Sequence, residues 1–131
     1  MKARTALVLH YNPVKLYPPA ESGIRFLQQS GFDVKVITTR AFGVQTESKL
    51  SLLFRILSFN LRALWCMALK SIDLLVVYEH YSIIPVRACL YLHPRCKIWL
   101  HFHEYSSPRE VKEGGIYARY CWAQVAKVIN D

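Results

Sequence analysis

Thr5-Ala6-Leu7-Val8-Leu9-His10, then the prolines Pro13, Pro18 and Pro19, then Gly31, then Asp33-Val34-Lys35-Val36-Ile37-Thr38-Thr39: this order of residues decides the fold. The first run is apolar and short, bounded by Lys2 and Arg4 before it and Asn12-Pro13 after it, which is the pattern of a buried strand. Tyr11 to Pro19 is a loop, because three prolines fit neither a helix interior nor a central strand. Ala20 to Gln29 reads as a helix with Ile24 and Leu27 on its apolar face and Phe26 flanking it. Gly31 stands where a helix ends in a left-handed residue. Asp33 to Thr39 is rich in β-branched residues and alternates Val34, Val36 and Thr38 against Lys35, Ile37 and Thr39, a second strand. Strand, loop, helix, glycine and strand make a βαβ unit, which closes right-handed with parallel strands.

Working outward, Ser48 to Lys70 is a long helix without proline or glycine. Ile72 to Tyr78 is a continuous apolar strand, Ile84 to Leu92 a short helix opened by Pro85, Lys97 to Phe102 a fourth strand, and Gly115 to about Ile129 a last helix. The expected fold class is therefore α/β, Rossmann-like, with a mainly parallel sheet and helices on both faces. The chain stops at Asp131 after a helix, where a doubly wound domain normally adds strands, so one domain over 1–131 cut inside a larger enzyme is expected.

Bulk properties narrow the function classes. At 131 residues, 53% hydrophobic and 13% aromatic, the chain can bury one core, and disorder is excluded. A formal net charge of +8 predicts an anionic partner: nucleic acid, acidic lipid or a phosphorylated small molecule. Cys66, Cys89, Cys96 and Cys121 have neither CxxC nor disulfide-framework spacing and sit in apolar stretches, as free thiols of a reducing compartment do. Leu7 to Leu9 is too short for a signal-peptide core.

In open α/β sheets, ligands bind beyond the carboxyl ends of the strands. That rule selects Tyr11 to Gly23, Thr39 to Glu47, Glu79 to Ser82 and His103 to Pro108, where polar and aromatic residues gather. Glu79, His80 and Tyr81 are candidates to line an acceptor pocket; a solvated polar loop explains them nearly as well. On the fourth strand, His101 and His103 share a face while Phe102 and Glu104 point the other way. His101 fits a core histidine, whereas His103 lies where the strand ends and can handle protons in the cleft. A metal held by His80, His101 and His103 is not expected, because no cysteine or acidic residue has ligand spacing.

Several of these stretches also resemble a known family. Tyr17-Pro18-Pro19-Ala20-Glu21-Ser22-Gly23-Ile24, followed by Leu27 and Ser30-Gly31-Phe32-Asp33-Val34-Lys35-Val36-Ile37-Thr38, resembles the opening of GT-B glycosyltransferases, particularly the large family that includes retaining sugar-nucleotide enzymes. Ile72 to Tyr78 is similar to their Asp-x-(apolar) strand. Ile98-Trp99-Leu100-His101-Phe102-His103-Glu104 resembles their strand ending in His-x-His-(Asp/Glu). The resemblance covers Arg4 to about Ile129, with one glycine where the family loop has a pair.

It implies half of a GT-B architecture: an N-terminal domain that binds the acceptor and one wall of the donor site. Ser22 and Gly23 fall at the donor-phosphate position, where helix N-terminal amides favour an anion. His103 would position the acceptor or sugar hydroxyl, and Glu104 would hold a hydroxyl or orient that histidine. No tightly bound cofactor is implied; a nucleotide-sugar is the substrate. Its other half belongs to a C-terminal donor-binding domain or a separate subunit, so this chain alone is expected to transfer little.

The long helix carries its own signal. On a wheel of about 100° per residue, Ser48, Ser51, Arg55, Ser58, Arg62 and Lys70 share one arc of about 120°, and leucines, phenylalanines and Trp65 fill the rest. Arg55 and Arg62 argue against a spanning helix, at about 2.5–3.5 kcal/mol each near a bilayer centre. Arg55, Arg62, Trp65 and Lys70 instead suit a helix lying in an anionic interface, as a cytoplasmic protein peripheral on the inner face of a membrane would have. The plainer reading is a helix buried between the sheet and another element.

Two function classes remain: the glycosyltransferase half, and a non-catalytic basic module for membrane docking or partner binding. Nucleic acid ranks below both, since the cations lie on an apolar helix rather than alternating with exposed aromatics on a sheet. A dinucleotide oxidoreductase is disfavoured because the first turn has no GxGxxG.

Overall fold

The computed structural model describes residues 3–12, 14–39, 48–102, 113 and 115–130. Its elements are β1 (Arg4–His10), α1 (Pro18–Gln29), β2 (Phe32–Thr38), α2 (Lys49–Leu69), β3 (Leu74–Tyr78), α3 (Val86–Leu92), β4 (Lys97–His101) and α4 (Gly115–Asn130), with 3-10 turns at Val14–Leu16 and His80–Ser82. The strands form one sheet in the order β2-β1-β3-β4, and every pairing is parallel. The chain is thus α/β and Rossmann-like, as its alternating pattern requires.

Alternation along β1 divides the core between the sheet's two faces. Ala6 and Val8 join Val76 and Tyr78 under Ala20 and Leu27 of α1. Leu7 and Leu9 join Leu75 and Val77 under Phe59 and Met67 of α2, Val86 of α3 and Val125 of α4. β1 and β3 are the central strands, and Leu7, Leu9, Leu75 and Val77 are wholly buried, each contributing about 1.5–3 kcal/mol over an exposed position.

Boundaries follow local chemistry. Helix α1 starts at Pro18, earlier than the expected Ala20, because prolines at the first positions have a helical φ and no N–H to satisfy. Its end is as expected: Gly31 follows the cap at φ 82, a conformation that favours glycine. Ser48 caps α2 by accepting from Ser51 N at 3.1 Å. Strand β3 starts at Leu74, not Ile72, because Asp73 ties strand entrances together. Its carboxylate accepts from Thr5 N at 2.7 Å, its N–H donates to Thr5 O at 3.0 Å, and its carbonyl accepts from Lys97 N at 3.0 Å. Pro85 sits at the cap of α3 rather than inside its first turn.

Helix α2 is anchored along one narrow line, not buried between two elements among the described residues. Phe59, Ala63 and Met67, four residues apart, are the line that packs on the sheet. Leu50, Leu53, Phe54, Leu57, Leu61, Leu64 and Trp65 are exposed, Phe54 to 74% and Trp65 to 69%. Within its most apolar window, only 17% is buried, so among the described residues no second element covers it. By length and composition α2 could cross a membrane, but its inner line is part of the core. The cations border the inner face: Arg55 lies 5.5 Å from the Tyr11 ring, and Arg62 Nη2 donates to Thr38 O at 3.0 Å. The four cysteines are free, three of them buried.

Candidate active site at the carboxyl edge of the sheet

After β1 the chain leaves to one side to form β2, and it later returns on the other side of β1 as β3. In open α/β sheets such a reversal opens a crevice beyond the carboxyl ends of the two strands, here β1 and β3, and ligands bind there. The residues meeting there are His10 at the end of β1 and Asn12 after it, Glu79 after β3, Thr38 at the end of β2, and Tyr17 before α1.

Glu79 has φ 66 and ψ 146, a backbone conformation few side chains other than glycine adopt. It is the only non-glycine residue with positive φ among the described residues. Glu79 Oε2 accepts from Asn12 Nδ2 at 2.7 Å, and Oε1 lies 3.9 Å from His10 Nε2. His10 is fully buried, its Nδ1–H donates to Asn12 O at 2.5 Å, and its ring lies against Tyr17 and Tyr78 at 4.7 and 5.6 Å. The tautomer follows from that bond: with Nδ1 protonated, Nε2 faces the carboxylate. Thr38 Oγ1 donates to the same Asn12 carbonyl at 2.7 Å. Ser82 Oγ accepts from Tyr11 N at 2.9 Å, and Thr39 Oγ1 donates to Tyr11 O at 2.5 Å. The crossing of β1 and β3 is therefore tied by side chains on both sides of the crevice.

Such an arrangement suits a hydroxylated ligand. A carboxylate oriented by one amide keeps acceptor capacity for a hydroxyl, and an imidazole beside it can exchange a proton. Glu79 keeps 14% of its side chain open to solvent, while His10 has none. Of the two, the carboxylate is the group open to solvent, with His10 buried behind it.

The expected site residues fare differently. Glu79 is in the crevice. His80 and Tyr81 turn toward α4 instead: His80 stacks on Trp122 at 4.9 Å, and Tyr81 stacks on Tyr117 at 5.6 Å. Burial lowers the His80 pKa, and it raises that of Tyr81, with Cys121 and Glu79 adding to the rise. These two rings anchor the last helix. Ser22 and Gly23 lie inside α1, with Ser22 exposed on its surface. The start of that helix has few amides to offer a phosphate, since Pro18 and Pro19 have no N–H and the Ala20 and Glu21 amides both donate to Tyr17 O. Gly23 has a packing role: a β-carbon there would run into the Tyr78 hydroxyl. His101 is half-buried, its ring 5.2 Å from Tyr78. His103 and Glu104 lie outside the described residues. No group of metal-ligating side chains occurs among the described residues.

His10 and Asn12 are not among the site residues expected from the sequence, which places His10 at the end of the first strand and Asn12 in the turn after it. The available signal was its position: a histidine closing a buried strand just before an Asn-Pro turn. No protein-family model matches the chain, and no curated protein or solved structure matches it.

Proposed function

We propose that this chain is the acceptor-binding half of a glycosyltransferase that moves a sugar from a nucleotide-sugar to a membrane-associated acceptor. The observation that carries the reading is Glu79, held at positive φ in the crevice between β1 and β3 with Asn12 and His10 on its carboxylate. Strained backbone is kept where surrounding structure over-determines it, and such residues cluster at ligand sites. In this reading Glu79 accepts an acceptor hydroxyl, Asn12 orients the carboxylate, and His10 lies behind it with Nε2 able to take up a proton. The resemblance to GT-B enzymes adds His103 and Glu104 to this reading as residues that would handle the acceptor hydroxyl. The nucleotide half comes from a second Rossmann-like domain or subunit, and the protein works peripherally on the cytoplasmic face of a membrane.

Saturation-transfer NMR with a panel of simple glycosides tests the crevice directly. Binding that is lost in Glu79→Gln supports the reading; glycoside binding equal in wild type and Glu79→Gln removes Glu79 from it. In the complete transferase, His103→Ala should abolish turnover and leave the fold intact.

A module without chemistry is the second reading, favoured by the apolar outer face of α2, which needs no reaction to explain it. Vesicles containing acidic lipid should bind the chain at low salt and release it at high salt in either case. Absence of glycoside binding alongside vesicle binding selects the module.

A further inference from the structure

A groove of about 580 Å³ runs between the outer part of α2 and the edge strand β2. Ile37 of β2 and Leu61, Trp65 and Leu69 of α2 supply its apolar walls, and among the described residues its charged lining is Arg62 and Lys70. Among the described residues no acidic side chain lines it. These cations stand about 12 Å apart along the helix, at 1.5 Å per residue, with Leu and Trp side chains between them.

The Arg62 end leads to the crevice. Arg62 Nη2 donates to Thr38 O at 3.0 Å, Thr38 Oγ1 donates to Asn12 O at 2.7 Å, and Asn12 Nδ2 donates to Glu79 at 2.7 Å. A guanidinium has five N–H donors in a planar fork suited to phosphate oxygens. One of them is engaged by Thr38, and the side chain is exposed. An apolar chain laid along Leu61, Trp65 and Leu69 would thus place a polar head at Arg62, within three hydrogen-bonded residues of Glu79. Apolar length in the groove, with positive charge at Arg62 and at Lys70, fits an anionic amphiphile.

We infer that the groove between α2 and β2 seats the single hydrocarbon chain of a phosphate-bearing lipid, with its phosphate at Arg62. The inference rests on the sugar-transfer reading only in making this lipid the acceptor; the groove's chemistry stands on its own residues. It names the acceptor class as a lipid phosphate whose head reaches the carboxyl edge.

Calorimetric titration of the chain with dodecyl phosphate below its micelle concentration tests it, beside inorganic phosphate and a neutral dodecyl ethylene-glycol ether. Saturable binding of one dodecyl phosphate per chain is expected, with inorganic phosphate at least about tenfold weaker. Leu61→Asp should weaken dodecyl phosphate at least about tenfold. Arg62→Gln should weaken it about tenfold, the worth of one charge-assisted hydrogen bond, and leave the neutral ether within about twofold. Both side chains are exposed, and an unchanged urea midpoint confirms that each variant folds.

Several results overturn the inference. Inorganic phosphate binding as tightly as the lipid makes this an anion site alone. Binding to acidic vesicles without saturable binding of the monomeric lipid makes α2 a bilayer-docking surface. Self-association that abolishes lipid binding assigns the groove to a second copy of the chain. Indifference to both substitutions places the lipid elsewhere. Because Leu61→Asp leaves Glu79 untouched, glycoside binding should survive it, so loss of one function does not imply loss of the other.

Discussion

Helices α1 and α2 each cover one face of the same sheet, yet their outer surfaces are opposite in character. α1 presents Glu21, Ser22, Arg25, Gln28 and Gln29 to water, with Phe26 as its one large exposed hydrophobic side chain. α2 presents leucines, Phe54 and Trp65 along most of its length, while its arginines border the inner face. Inward they do the same work: Ala20 and Leu27 on one side, Phe59, Ala63 and Met67 on the other, all buried against the sheet. The difference teaches that, among the described residues, the fold packs only the inner line of α2. Its outward leucines, Phe54 and Trp65 stand exposed, and large exposed apolar patches are characteristic of interaction surfaces in general.

Substitutions can break or sharpen this contrast. The largest effect is expected at the inner line of α2. Phe59, 1% exposed, should cost about 3–5 kcal/mol when cut to alanine, measured by urea unfolding; a loss under 1 kcal/mol would mean α2 is not anchored there. On the α1 side, Gly23→Ala should cost about 1–3 kcal/mol by overpacking against Tyr78. Most of that cost should vanish in the Tyr78→Phe background, which removes the hydroxyl the new methyl meets. Equal costs in both backgrounds would show that Gly23 matters for another reason.

At the crevice, Glu79→Gly removes the backbone strain and the bond from Asn12 together. Stability should stay within about 1 kcal/mol of wild type, because the two contributions oppose each other. Glycoside binding should nevertheless be lost, a separation that a merely structural Glu79 would not give.

His80 supplies a pH dependence. Burial lowers its folded pKa, so the unfolded chain takes up a proton first as pH falls. Its contribution is complete above the unfolded value of about 6.5 and is lost as pH falls from there through the lower folded value. In His80→Gln that part of the acid-side decline should disappear, as read from unfolding midpoints across the pH range. The smallest effect is expected outside: Phe54→Ser should change stability by no more than about 0.5 kcal/mol while reducing binding to acidic vesicles. A large destabilisation there would mean that the outer face is covered within the fold, which would end the comparison with α1.

Much of the fold was legible in particular residues. The apolar run before His10, the prolines, Gly31 and the β-branched second strand imply one βαβ unit, and the sheet has it. Element ends shifted by a residue or two where a local bond decides them, as at Asp73, whose carboxylate takes the Thr5 amide before β3 begins. The site was less legible. Glu79 could be found because it follows an apolar strand, but nothing local distinguishes it from His80 and Tyr81. The three part company only because a positive φ at Glu79 sends its side chain to the crevice, while the next two rings meet Tyr117 and Trp122.

By itself the sequence determined which segments could be strands and helices, since periodicity and the geometry of proline and glycine act over a few neighbours. It also determined that α2 has more apolar surface than one sheet face can bury. Only the tertiary structure decided which side of α2 meets the sheet and that His10, Asn12, Thr38 and Glu79 share one crevice. Those outcomes depend on strand order and register, which bring together residues far apart in the chain, and no local pattern encodes such distances.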